Sequence, residues 1–273
     1  MDNDIRTKQL FDLSGKVTLV TGGERGLGKA IAEALAEFGS DVIINYPFPE
    51  EKAQAEETAH LLAGLGVRTR IIQADVSGAE EVEKMFQEIR DVFGRIDILI
   101  NNAGITSAAA WVHEMSVSDW DRVINVNLRG PFLCMKYALP LMMNQKQGSI
   151  INVSSTAAIR ASSSKFLSIS NYSASKAGLL ALTRQAAADY ASHGIRINAI
   201  ALGYHGSTSL SSEWKKKWSA EMLKEYAEMI KQQVPLGRRG KESDLKGLVV
   251  FLASEASSYI TGQTIVQDGG ISL

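Results

Sequence analysis

Val17-Thr18-Leu19-Val20-Thr21-Gly22-Gly23-Glu24-Arg25-Gly26-Leu27-Gly28 carries the reading of the fold. A short β-branched run over 17–20 stops at a glycine-rich loop, and apolar residues then recur at helical spacing at Ala30, Ile31, Ala34, Leu35 and Phe38. Strand, glycine loop and helix in that order make a phosphate site. Glycines let the backbone approach the anion, and the helix N-terminus presents unpaired N–H groups to it. The glycines follow G-x-x-x-G-x-G rather than G-x-G-x-x-G, so it is their place behind a strand that points to phosphate binding.

Outward from this unit the alternation continues. A strand over 42–45 precedes a charged helix over 49–64; a strand over 67–73 ends at Asp75-Val76 and gives way to an amphipathic helix over 79–93. The strand over 96–100 runs into Asn101-Asn102-Ala103-Gly104, and helical patterning fills 116–145. Asn127, inside that helix, predicts a break or a bound water, because its amide competes for backbone hydrogen bonds. A fifth strand over 149–153 has Ser154-Ser155 at its carboxyl end, where ligands of open α/β sheets bind. Ser155 is the hydroxyl expected to meet substrate, and Ser154 a turn residue. Further strands at 195–201 and 263–266 flank a helix over 245–252. The pattern predicts an α/β fold, a doubly wound parallel sheet with helices on both faces. Residues 1–14 read as an N-terminal arm and 15–273 as one domain. The stretch 203–234, with Tyr204, Trp214, Trp218, Met222, Tyr226 and Met229, interrupts the rhythm as a substrate lid would, or as an extra pair of packing helices.

The chemistry is concentrated in Asn171-Tyr172-Ser173-Ala174-Ser175-Lys176. Residues four apart share a helix face, so Tyr172 and Lys176 set a phenol beside an ammonium. Ionising an ordinary tyrosine at pH 7 costs about 4 kcal/mol. A nearby cation recovers about 1–3 pKa units of that, which leaves a proton donor and acceptor usable near neutrality. A solvated helix start with a chance Tyr and Lys is the alternative for the spacing taken alone.

A net charge of −1 with acids and bases interspersed gives no electrostatic footprint for nucleic acid or a membrane surface. The basic run Lys215-Lys216-Lys217 reads as the wet face of a helix. Cys134 is the only cysteine and sits in an apolar stretch, so it is read as core, and no intramolecular disulfide or cysteine-based metal cluster is expected. His60, His113, His193 and His205 lack ligand spacing, and no metal is expected. The start, Met1-Asp2-Asn3-Asp4, is acidic with no apolar region behind it, and no run approaches the ~18–20 apolar residues of a membrane span. A cytoplasmic protein is expected.

In order along the chain, Thr21-Gly22-x-x-x-Gly26-x-Gly28, Asn101-Asn102-Ala103-Gly104, Asn127-Leu128-x-Gly130, Asn152-Val153-Ser154-Ser155, Tyr172-x-x-x-Lys176 and Tyr259-Ile260-Thr261-Gly262-Gln263 resemble the short-chain dehydrogenase/reductase family in its single-domain form. The resemblance runs from about Leu13 to the C-terminus. It implies a Rossmann-type sheet of seven strands and a catalytic tetrad. Tyr172 would pass the proton, Ser155 hydrogen-bond the substrate oxygen, Lys176 hold the nicotinamide ribose and depress the Tyr172 pKa, and Asn127 fix a water. Cofactor contacts are implied for Gly22, Arg25, Gly26, Leu27 and Gly28 at the pyrophosphate, and for Asp75 and Val76 at adenine. Tyr46 is placed at the end of the second strand, Asn102, Ala103 and Gly104 along the ribose, and Gly203, His205 and Ser207 on the nicotinamide side.

Three departures stand out: Leu202-Gly203 where the family has Pro-Gly, Gln267-Asp268-Gly269-Gly270 where Val-Asp-Gly-Gly is usual, and a serine-rich insertion over 161–170 before Tyr172. No acid stands in Asn45-Tyr46-Pro47, where NAD enzymes bind the ribose 2′-hydroxyl, and Arg25 is at hand for a 2′-phosphate. The cofactor is therefore expected to be NADP, with NAD as the alternative. The expected activity interconverts a ketone and a secondary alcohol. The opening Phe11-Asp12-Leu13-Ser14-Gly15-Lys16 looks like that of gluconate-type dehydrogenases and suggests a sugar acid or polyol. A 3-oxoacyl thioester is the runner-up, and a bulky ketone would suit the lid. A nicotinamide-binding sensor without turnover is the competing class, and the intact tetrad argues against it. The resemblance also implies a homotetramer, paired through the helices around 127–145 and 172–191 and the last strand.

Overall fold

The computed structural model describes residues 6–161, 168–206 and 218–273. Ser207, Trp214, Lys215, Lys216, Lys217 and the centre of the insertion lie outside the described residues.

Seven parallel strands form one sheet: β1 (Val17–Thr21), β2 (Asp41–Tyr46), β3 (Thr69–Gln73), β4 (Ile98–Asn101), β5 (Gly148–Ser155), β6 (Ile195–Leu202) and β7 (Thr264–Gln267), in the spatial order β3-β2-β1-β4-β5-β6-β7. The order reverses between β1 and β4, and the crevice outside the carboxyl ends of these two strands is where open α/β sheets bind ligands. Among the described residues the α-helices are α1 (Gly26–Glu37), α2 (Lys52–Ala63), α3 (Ala79–Phe93), α4 (Val117–Ile124), α5 (Gly130–Gln145), α6 (Ser170–Tyr190), α7 (Ala220–Gln233) and α8 (Glu242–Ala253).

The sheet has an apolar layer on each face. Ile31 and Leu35 of α1, Leu62 of α2 and Val249 of α8 pack on one side with Val20 and Ile44. On the other, Val82 and Phe86 of α3, Leu133 and Met142 of α5 and Ala187 of α6 pack with Leu19, Leu99 and Ile150. Cys134 is fully buried there. Burial on both faces explains why the strands are continuous Val/Ile/Leu runs rather than alternating ones. Among the described residues, no helix is long and apolar enough to cross a membrane.

Two differences from the sequence reading bear on the site. β5 extends two residues past the apolar run, pairing with β6 as far as Ser155 against Leu202. The small serines fit the ladder, so a strand end fixes Ser155 more firmly than a loop would. The helix carrying Asn127 does not break either. It passes through a π turn, Asn125–Arg129, between α4 and α5. Such a turn takes up an awkward residue without ending the helix, and is frequent at functional sites.

Candidate active site

The glycine loop is locked to the turn after β4. The Thr21 hydroxyl accepts from the backbone N–H groups of Asn102 and Ala103, both at 3.0 Å, and the Asn102 amide donates to the carbonyls of Thr21 and Gly22, both at 2.9 Å. Gly22 and Gly26 have φ of 60° and 54°, in the left-handed region that glycine adopts without steric cost. At Gly28 the constraint is contact: a β-carbon there would stand 1.9 Å from the Gly22 carbonyl oxygen and 2.7 Å from the Asn102 amide nitrogen. Gly28→Ala must push backbone apart. It is expected to cost about 1–3 kcal/mol as overpacking, or roughly 2–4 °C of melting temperature per kcal/mol in a chain of this size. Dinucleotide affinity should fall with it, and a melt of the variant with and without cofactor reads both effects.

Loop, strand ends and α6 enclose one cleft of about 1450 Å³. That exceeds the ~300–1,000 Å³ of a single small-ligand pocket and leaves room for a dinucleotide beside a substrate. Gly22, Arg25, Gly26, Leu27, Gly28, Asp75, Val76, Asn102, Ala103, Gly104, Gly203 and His205 all line it, as do Ser155, Tyr172 and Lys176. Tyr46 does not. Its side chain is buried in the core with Ala55 and Leu62, while Asn45 and Pro47 on either side of it face the cleft. Successive strand residues point opposite ways, and the expected contact fell on the wrong one. His205 is buried against Gly240, and burial lowers its pKa.

Tyr172 is 9% exposed and Lys176 3%. The Lys176 ammonium donates to the Val153 carbonyl at 2.7 Å and lies 5.8 Å from the centre of the Tyr172 ring. Burial drives the Lys176 pKa down to about 8. Burial also raises the Tyr172 pKa above the ordinary phenol value, opposed by a hydrogen bond with Ser155. The expected depression of the Tyr172 pKa by Lys176 does not appear: the ammonium's own hydrogen bond goes to the Val153 carbonyl, and burial is the largest influence on the phenol. Both serines line the cleft, but the Ser154 hydroxyl is spent donating to the Lys176 carbonyl at 3.1 Å, which leaves Ser155 as the one of the two placed to meet a ligand.

Asn127 is fully buried behind the cleft wall rather than on it. Its amide nitrogen donates to the Ile105 carbonyl (2.8 Å) and the Ser175 hydroxyl (3.1 Å), and its amide oxygen accepts from the Ile105 N–H (2.8 Å). With both amide hydrogens spent on protein, the side chain ties the loop after β4 to α6 and has no donor left for a water. The Ser175 hydroxyl completes the tie by donating to the Tyr172 carbonyl at 2.7 Å.

Other cleft residues went unnoticed in the sequence. Glu24 and Glu51 flank Arg25, and Arg122, Arg160 and Arg239 add positive charge to the wall, Arg239 standing 5.1 Å from the centre of the Tyr226 ring. Only the acid at position 24 had a signal available, as a charge inside a glycine loop.

The family model described as enoyl-(acyl carrier protein) reductase matches residues 22–272. A 3-oxoacyl-[acyl-carrier-protein] reductase FabG of Staphylococcus aureus is 41% identical over 256 residues, 94% of this chain and 98% of the relative. The chain belongs to the short-chain dehydrogenase/reductase family. A solved short-chain type dehydrogenase/reductase from Mycobacterium marinum superposes with a TM-score of 0.87 at 34% identity, over 96% of this chain and 98% of that one. A gluconate 5-dehydrogenase from Burkholderia cenocepacia, solved with NADP and tartrate, reaches a TM-score of 0.87 at 31% identity over 98% and 99%. As a short-chain dehydrogenase/reductase the chain is an NAD(P)-dependent oxidoreductase that interconverts a ketone and a secondary alcohol.

Proposed function

We propose that this short-chain dehydrogenase/reductase reduces the ketone of a 3-oxoacyl thioester with NADPH, using Tyr172, Ser155, Lys176 and Asn127. The observation that carries the chemistry is that Ser155, the buried Tyr172 and the buried Lys176 meet on one cleft that continues into the glycine loop. The glycine cradle, which a β-carbon at Gly28 would fill, suits a pyrophosphate, and Arg25 is the cation beside it. The nicotinamide cofactor supplies the hydride when bound; the protein supplies position, charge and the proton.

Ser155 and Tyr172 together receive the carbonyl oxygen. As negative charge develops on that oxygen, Tyr172 gives it the phenolic proton, a direction that suits a phenol whose burial holds the proton on at pH 7. Lys176, still an ammonium at that pH, steadies the transient tyrosinate and donates toward the ribose. Asn127 is a positioning residue that fixes α6 against the loop after β4. Gly22, Gly26, Leu27 and Gly28 take the pyrophosphate, Asp75 and Val76 the adenine, and Asn102, Ala103 and Gly104 the ribose. Gly203 and His205 take the nicotinamide side.

Relatives named as 3-oxoacyl-carrier-protein reductases support the thioester. The gluconate 5-dehydrogenase neighbour favours a sugar acid as the second reading. NADPH oxidation with acetoacetyl-coenzyme A and with a keto-gluconate decides between them. A higher kcat/KM for the thioester is expected; preference for the sugar acid would overturn the substrate, and cofactor binding without turnover across a broad panel of ketones and alcohols would favour the sensor class. The division into an arm and one domain at residue 15 stands as part of this reading, and of the substrate lid expected over 203–234 the described Tyr204 and Tyr226 line the cleft, which supports it. A cytoplasmic homotetramer through α5, α6 and β7 fits the exposure of Phe132 on α5 and Val266 on the edge strand β7, and light scattering tests it.

A further inference from the structure

The glycine loop and the start of α2 bring Arg25, the cation already placed beside the pyrophosphate, together with two acids, Glu24 and Glu51, that the chemistry above leaves unused. Arg25 Nη2 lies 2.6 Å from Glu51 Oε1, and Arg25 Nε lies 3.4 Å from Glu24 Oε1. The arginine side chain is 45% exposed, the glutamates only 12% (Glu51) and 6% (Glu24). Each carboxylate keeps its second oxygen buried with no hydrogen-bond partner among the described residues. The Thr58 hydroxyl, donating to the Glu24 carbonyl at 2.9 Å, holds this part of the loop against α2.

All three side chains line the cleft beside Asn45, Pro47 and Phe48, at the end of β2, where dinucleotide folds of this type place the adenosine ribose. Asn45 has its amide nitrogen committed to the Ile72 and Ala74 carbonyls at 3.3 and 2.9 Å, so discrimination at the ribose falls to the three charges.

The two forms of the cofactor make opposite demands on them. A ribose 2′-hydroxyl is a donor, and carboxylates that line the cleft with acceptor capacity to spare can turn to receive it. A 2′-phosphate brings only acceptors and negative charge. It must draw the half-exposed Arg25 from Glu51 and leave a nearly buried carboxylate without its cation, which is costly. Two acids around one base leave little positive charge for a phosphate to meet. We infer that Glu51, acting through Arg25, together with Glu24, balances this site between nicotinamide dinucleotides with and without the 2′-phosphate, Glu51 holding back the phosphate-bearing form.

The inference rests on the nicotinamide binding proposed above. Its test is a fluorescence titration of NADPH and of NADH into the full chain, its Glu51→Gln variant and its Glu24→Gln variant at fixed ionic strength, with a thermal melt of each. Glu51→Gln is expected to raise the ratio of NADPH to NADH affinity about tenfold or more, chiefly by tightening NADPH. Glu24→Gln should move the ratio the same way, chiefly by weakening NADH. An unchanged ratio in both variants overturns the inference alone, as does an equal weakening of both cofactors with a lowered melt, which would make the trio a staple between loop and helix. A parent chain that binds neither dinucleotide sinks the functional reading and this one with it.

Discussion

Tyr172→Phe is expected to lower turnover by about 10²- to 10⁴-fold, the usual worth of a positioned general acid, while dinucleotide affinity stays within about 3-fold. The two readouts separate because the substitution removes one oxygen. The ring keeps its place beside Lys176 and under the cleft wall, and the backbone ties at this turn of α6 do not involve the phenol: the Tyr172 N–H donates to the Asn171 side chain and the Tyr172 carbonyl accepts from Ser175. What disappears is the proton and the partner of the Ser155 hydroxyl. That loss should cost about 1 kcal/mol of stability, the order of one hydrogen bond, so a melt close to the parent would show that the fold survives. Turnover within threefold of the parent would take Tyr172 out of the reaction. The pH profile adds a check: burial holds the phenol above its ordinary value, so no loss of the acid through Tyr172 should appear between pH 6 and 9.

Such a prediction was open to sequence reasoning because it depends on local spacing. Tyr172 and Lys176 share a helix face by geometry alone, and the glycines at 22, 26 and 28 declare a loop that side chains would obstruct. The helix over 79–93 was equally legible, its apolar stripe ending at Gly94 in the left-handed conformation. What sequence could not supply were properties that depend on surroundings. The Tyr172 pKa hinges on how much water the fold removes, and burial outweighed the lowering influence of Ser155. Tyr46 was misplaced by one residue at a strand end, where a single step exchanges core for cleft. Asn127 announced an irregularity, but its partners, Ile105 and Ser175, are 22 and 48 residues away. The pairing of Arg25 with Glu51 crosses from a loop to a helix start that no periodicity links.

Lys176 supports the second large effect, with a sign that can be worked through. In water its ammonium would persist to about pH 10.5, whereas burial lowers that to about 8. At pH 7 the side chain is still mostly charged, and it becomes neutral as pH rises through about 8. If the ammonium donates to the cofactor ribose and steadies tyrosinate, both functions fade over the same interval. Cofactor affinity and the reductive kcat/KM should therefore decline above pH 8 together. Lys176→Met keeps most of the volume but abolishes the charge and the bond to the Val153 carbonyl. It is expected to weaken dinucleotide binding by about 10-fold or more and turnover by about 10²-fold or more, since a charged hydrogen bond is worth ~1.5–3 kcal/mol. The affinity of this variant should no longer change through pH 8. Stability moves oppositely. Between about pH 8 and 10.5 the unfolded lysine binds a proton that the folded one has released, so this group makes the parent chain more stable as pH rises through that window. A parent melt that gains on the Lys176→Met melt across that window, alongside a cofactor affinity that falls there only in the parent, would tie both effects to one buried ammonium. A variant whose affinity still falls through pH 8 would assign the titration to another group.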